Sequence, residues 1–244
     1  MKTLAHKLIS VASGVPSIAT GDIVICNVDL AMIHDSGGPR RVKPILERLN
    51  RSVWDKDKVV VVTDHYVPAT NAETQAIQAL TKEWVREQDI EKFYDEQGIC
   101  HVVLPERGHL SPGKFCVGGD SHSPTGGAFG AYMFGIGATE MAGVLATGTI
   151  WIKVPETILI RWHNQLSPFV TAKDMMLATC RKIGMGGGRY QAIQFAGDAV
   201  RQLGMQDRMT LSNMAAELGA QAGLIAPDET TIDYIHKAGG IVPE

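Results

Sequence analysis

The chain has 244 residues, 45% of them hydrophobic and 20% charged, with a net charge of −3. That length is enough to bury one large core or two modest ones. The near-neutral balance excludes the basic footprint of a nucleic-acid binder and the polybasic patch of a membrane-surface protein, so function has to be sought in local sites.

Along the chain, strand-like and helix-like patterns alternate. The first 15 residues carry His6, Lys7 and Ser10 where a signal peptide needs an unbroken apolar run, so they read as an amphipathic helix. Residues 22–30 (DIVICNVDL) and 58–63 (KVVVVT) are short, β-branched and bounded by polar residues, the pattern of buried strands. Residues 42–51 have helical spacing between them. Residues 71–88 predict a long helix with Ala72, Ala76, Ala79, Leu80 and Trp84 at helix-like intervals. Residues 100–104 and 114–118 read as further strands. The apolar stretch 128–146 is interrupted by Gly130, Gly135, Gly137 and Glu140, which argues against a membrane span.

A second pattern begins near residue 154. Residues 156–162 alternate like a half-exposed strand, and residues 171–183 read as a helix with a Thr171/Asp174 capping box. A glycine-rich turn (184–188), a strand (190–195) and helices at 198–203 and 211–218 follow. The glycine-rich turn lacks the Lys-Ser/Thr of a P-loop and the dinucleotide-binding spacing. Strand–helix alternation predicts an α/β fold with largely parallel sheets, its chemistry in the loops at strand ends. The expected units are 1–155 and 156–244, the latter a second α/β domain whose completeness the sequence leaves open, in a soluble, cytoplasmic protein.

Cys26, Cys100, Cys116 and Cys180 form no CxxC pair and offer no zinc-ribbon or ferredoxin spacing. Chemistry-bearing residues concentrate instead where apolar runs end. Asp64 and His65 follow four valines, and an Asp beside a His can orient the imidazole for acid–base work; a surface turn is the plain alternative. His101 follows a short apolar start and reads equally as a hydrogen-bonded edge residue. The stretch 118–127 (GGDSHSPTGG) sets Asp120, Ser121 and His122 between two glycine pairs, which let backbone N–H groups approach an anion. Asn213 and Glu217, four apart on the expected last helix, share one face and alone read as a solvated pair.

Together these stretches resemble the aconitase superfamily, most closely 3-isopropylmalate dehydratase large subunits. Residues 118–158 carry the likeness through GGDSHSPTGGAFGAYMFGIG and VLATGT. VDLAMIHD (28–35), VVTDH (61–65), GICHVVLPERG (98–108) and DRMTLSNMAAELGAQAGLIAPDETT (207–231) match in family order. The resemblance implies an aconitase-type fold of α/β/α domains. It implies a hydro-lyase acting on a hydroxy di- or tricarboxylate such as 3-isopropylmalate, with Asp64–His65, Asp120–His101 and Glu217–His122 as catalytic acid–histidine pairs. It puts Ser121 and Asn213 around the substrate, and His34 and Asp35 at a position touching substrate or bound water.

The resemblance also implies a [4Fe–4S] cluster as Lewis acid, but this chain has none of the family's ligand cysteines, which lie in a later CxxC-bearing part. The expected partners are therefore that C-terminal part of the large subunit and a small swivelling-domain subunit, with the chain ending, AGGIVPE, read as a split or truncation. HDSGGPRR and GDSHS depart from the commoner isopropylmalate forms and leave dimethylmalate- and homoaconitate-type substrates open. Two other readings remain: a non-catalytic fragment or carboxylate-binding module, and a mononuclear metal site on His65, His101 and His122.

Overall fold

A computed structural model describes residues 2–243. Its main sheet grows around Val59–Thr63, five residues buried on both faces because helices cover each side, as parallel sheets require. The first half contains α1 (Leu4–Ser13), β1 (Ile23–Asn27), β2 (Leu30–His34), α2 (Pro39–Leu49), β3 (Val59–Thr63), α3 (Ala72–Glu87), β4 (Phe93–Asp95), α4 (Cys100–Glu106), β5 (Phe115–Gly118), β6 (Tyr132–Gly135), α5 (Ala138–Thr147) and β7 (Thr149–Lys153). A 3-10 helix, Ser123–Phe129, links β5 to β6. The second half contains β8 (Thr157–Arg161), α6 (Ala172–Ile183), β9 (Ala192–Ala196), α7 (Asp198–Gln202), α8 (Met205–Asn213), β10 (Ala222–Ile225) and α9 (Glu229–Lys237).

Three sheets result. The main one has the parallel order β4-β3-β2-β5-β6, a smaller parallel one runs β10-β9-β8, and β1 pairs antiparallel with β7. This is the expected α/β fold with mostly parallel sheets. The two parallel sheets meet at the 3-10 helix, where Gly127 lies so close to β10 that a Cβ there would sit 1.9 Å from the Gly223 carbonyl oxygen. Among the described residues no helix is long and apolar enough to cross a membrane.

Helix termini follow the local chemistry. Thr3 caps α1, Asn71 and Thr74 form a capping box on α3, and the Thr171/Asp174 box caps α6. Four expectations need correction. The run 22–30 is two strands in different sheets, divided where the Asp29 carboxylate accepts the Phe115 N–H. Residues 100–104 are helix, not strand: a short apolar run does not distinguish the two, and here Cys100 N–H is taken by the Asp64 carboxylate. On α3 the alanines face solvent while Ile77, Thr81, Trp84 and Val85 are buried, since the larger side chains gain more from burial. The helix expected over 211–218 is the end of α8, which stops at Asn213, and residues 215–217 continue in i→i−3 turns, so Asn213 and Glu217 share no helix face.

Candidate active site

In the main sheet the chain runs from β2 outward to β3 and β4, then returns to the other side of β2 with β5 and β6. The carboxyl ends of β2 and β5 therefore flank a topological switch point, where diverging loops leave a crevice. His34 and Asp35 end β2, Asp64 and His65 follow β3, and Gly119 to His122 follow β5. The N-terminus of α4 adds His101. All six residues of the expected catalytic set reach this region, Glu217 from the turns after α8.

The three acid–histidine pairs form. His65 Nδ1 donates to Asp64 Oδ1 at 2.6 Å, His101 Nε2 to Asp120 Oδ1 at 2.7 Å, and His122 Nε2 to Glu217 Oε1 at 3.1 Å. Each carboxylate fixes a tautomer and leaves the second ring nitrogen as the acceptor. Asp64 is steadied by the Cys100 N–H at 2.7 Å. Asp120 occupies the centre: its Oδ1 also accepts the His122 N–H at 2.7 Å, and its Oδ2 lies 3.7 Å from His65 Nε2. The His101 hydrogen bond, ahead of the opposing cost of burial, holds the Asp120 carboxyl well below the usual carboxylate range. A cavity of about 560 Å3 opens beside His101 and Glu217, with Thr125 and Asn213 in its wall. A slightly larger one, about 590 Å3, lies along β7 and contains none of these residues.

The expected substrate contacts divide. Ser121 is exposed, and its hydroxyl donates to His122 Nδ1 at 3.2 Å. Asn213 Nδ2 donates to Thr125 Oγ1 at 2.9 Å, joining α8 to the 3-10 helix. His34 is buried and stacks on His65 with ring centroids 4.0 Å apart. Its Nε2 donates to the Gly119 carbonyl at 2.9 Å, leaving Nδ1 as a buried acceptor with no partner. Burial, then the neighbouring His65, push the His34 pKa down. Asp35 is a correction: it is wholly buried and accepts backbone N–H groups of Asp64, His65 and Tyr66 at 3.4, 3.1 and 3.0 Å. Those donors make it the clamp of the Asp64–His65 turn and leave it no opening toward a substrate.

Among the described residues one donor group, His34, Asp35, Asp64 and His65, has ligand atoms within 4.8 Å of one another. The stacked rings direct their in-plane lone pairs along parallel planes, and Asp35 is already engaged, so the set is poorly shaped for a metal. His65, His101 and His122 do not form such a group. The residues here also do not fit a [4Fe–4S] cluster. Cys26 lies in one core, Cys100 and Cys116 in a second, and Cys180 against a third. Burial pushes the thiols of Cys26 and Cys116 up to about 12 and raises that of Cys100 as well, opposite to what thiolate ligation needs.

His109, outside this cluster, accepts the Tyr94 hydroxyl at 2.6 Å. Burial, then Lys92, Lys114 and Arg107, push its pKa down to about 4. The folded state therefore favours the neutral ring. Its contribution is present above the unfolded value near 6.5 and is lost as pH falls toward 4, by roughly 1.4 kcal/mol per unit at most. Urea titrations across that window are expected to show a loss that His109→Gln removes.

The sequence profile of the Aconitase family (aconitate hydratase) matches residues 8–241. Over 98% of the chain, identity is 47% to 3-isopropylmalate dehydratase large subunit 1 of Methanopyrus kandleri, of which 57% is covered. Over 87% of the chain, identity is 45% to a probable methanogen homoaconitase large subunit of Methanosarcina mazei, with 54% of it covered. The chain thus spans little more than half the length of these relatives. The crystal structure of Thermococcus kodakaraensis aconitase X has the same fold, with a TM-score of 0.51, 11% identity, 91% of this chain covered and 57% of that one. With its profile match running nearly from end to end, the chain belongs to the aconitase family.

Proposed function

We propose that this chain is the acid–base half of a hydro-lyase large subunit, acting on a hydroxy di- or tricarboxylate such as 3-isopropylmalate. The observation that carries this reading is the convergence of three imidazole–carboxylate pairs around Asp120 at the switch point. Elimination of water removes a proton from the carbon next to a carboxylate and a hydroxide from its neighbour. A protonated imidazole of His65, His101 or His122 supplies the proton that turns the departing hydroxide into water. Asp64, Asp120 and Glu217 stabilise the charged ring before transfer and hold it aligned afterward. Ser121 and Asn213 provide polar contacts for substrate oxygens.

The base that takes the carbon-bound proton is supplied, in this reading, by the remaining large-subunit portion or by the small partner subunit. The family's [4Fe–4S] cluster enters only with ligands from outside this chain, since the four cysteines here do not converge. The units 1–155 and 156–244 would meet at the extended residues 154–156, in a cytoplasmic enzyme.

The test is co-expression of the chain with the remaining large-subunit portion and the small subunit of a relative, followed by anaerobic iron–sulfur reconstitution. Dehydration of 3-isopropylmalate, dimethylmalate and homoaconitate-type substrates is then assayed. Activity that appears only in the assembly, and falls with His101→Asn, supports the proposal. A stable, cluster-loaded assembly inactive on the whole panel would favour a carboxylate-binding module instead.

A further inference from the structure

The two edges of the three-stranded sheet differ. The β10 edge is covered by the 3-10 helix at the Gly127–Gly223 contact. β8 has a single neighbour, β9. On that side Trp162 N–H donates to the Ala196 carbonyl, and the Glu156 carbonyl accepts the Ala192 N–H. In a parallel ladder alternate residues bond to one neighbour, so the backbone groups of Thr157, Leu159 and Arg161 point outward. Such an edge is a template for another strand unless Pro, a bulge or an inward charge blunts it. β8 reads TILIR and has none of these before its final residue.

A groove of about 410 Å3 runs beside this edge, walled by Ile158 and Leu159 from the strand, Trp162 just after it and Ile183 from α6. Leu159 is 47% exposed and Ile183 36%. The Trp162 indole N–H is buried there without an acceptor, a costly state that an incoming oxygen would relieve. Arg161 and Lys182 also line the groove, and neither forms an ion pair among the described residues. Apolar walls, an open strand edge, one spare donor and two spare cations define the complement.

We infer that the β8 edge docks an extended segment of alternating apolar and acidic residues as a fourth strand of this sheet. Its source is the polypeptide that supplies the length of the relatives this chain does not span; that source rests on the proposed function, whereas the chemistry of the edge does not.

The experiment uses the 15N-labelled chain and two synthetic nine-residue peptides of alternating valine with glutamate or with lysine. The glutamate peptide is expected to shift the amides of Thr157, Leu159 and Arg161 and the indole of Trp162, with about tenfold preference over the lysine peptide from two ion pairs. Leu159→Pro removes only an outward N–H, which edge strands tolerate, and is expected to abolish these shifts. Should that variant fail to fold, Arg161→Glu with Lys182→Glu is expected to reverse the peptide preference. The inference falls if neither peptide shifts these amides, if both act equally, or if light scattering shows a dimer joined through β8. An assembled enzyme that is inactive while the peptide still binds would remove the functional proposal and leave this one standing.

Discussion

Asp120→Asn is expected to lower turnover of the assembled enzyme by roughly 10²–10⁴-fold, the contribution typical of general acid–base groups. Asparagine has nearly the same shape, and its oxygen can still accept from His101 Nε2 and the His122 N–H, now 2.7 Å away in each case. What disappears is the negative charge between His101 and His65, which favours whichever ring carries the proton. The fold should lose only about 1–2 kcal/mol, the difference between a charged and a neutral acceptor. Because the Asp120 carboxyl is held well below its usual range by His101, it stays ionised through the working pH. Its stabilising effect is complete above about pH 4 and disappears only as pH falls toward that depressed value. Asp120 itself therefore does not titrate across neutral pH, and the loss in the Asn variant should not track protonation of that carboxyl. Steady-state rates from pH 6 to 9 beside urea melts separate the cases. A change of less than threefold would remove Asp120 from the centre of the proton network.

The sequence reveals some of this arrangement and hides the rest for identifiable reasons. Val59 to His65 was legible because four β-branched residues followed by Asp and His combine a buried strand with a polar end. The Asp64–His65 pair could be read from adjacency alone. The His101–Asp120 and His122–Glu217 pairs lie 19 and 95 residues apart, and only the return of β5 beside β2 and the packing of α8 on the 3-10 helix bring them together. Without the family resemblance, spacing could not have assigned them. The resemblance put Asp35 beside the substrate, and the wrapping of its carboxylate by the next loop leaves no trace in the sequence. The misread strand at 100–104 has the same origin: CHVVL fits either element until the Asp64 carboxylate takes the first N–H. The stacking of His34 on His65 and the open β8 edge depend wholly on tertiary neighbours.

Arg208→Met is expected to destabilise the chain by about 3 kcal/mol and to disturb the site from a distance. Arg208 has no exposed surface, yet five of its contacts are polar. Its two terminal nitrogens meet Asp228 at 2.6 and 2.8 Å, Nε donates to the Leu203 carbonyl and Nη2 to that of Arg201, and Nη1 reaches Thr231. Methionine fills most of the volume but leaves two carbonyls and a carboxylate short of donors. Removing one partner of a buried pair costs about 3–5 kcal/mol. The lower end applies because the Asp228 side chain remains 37% exposed and water can reach it. The Arg208 hydrogen bond lowers the Asp228 pKa, so the pair stabilises the fold above the ordinary carboxylate range near pH 4 and ceases to do so as pH falls below it. The gap between wild type and variant should accordingly narrow in acid. Arg208 joins α8 to the β10–α9 connection, and α8 leads directly into the turns that carry Glu217 to His122. Loosening that anchor should weaken the third acid–histidine pair before the chain unfolds. Denaturant melts at pH 7 and at about pH 3, with Arg208→Met, Asp228→Asn and the double variant as a cycle, measure the coupling. A variant as stable as the parent at pH 7 would show that Arg208 only fills space.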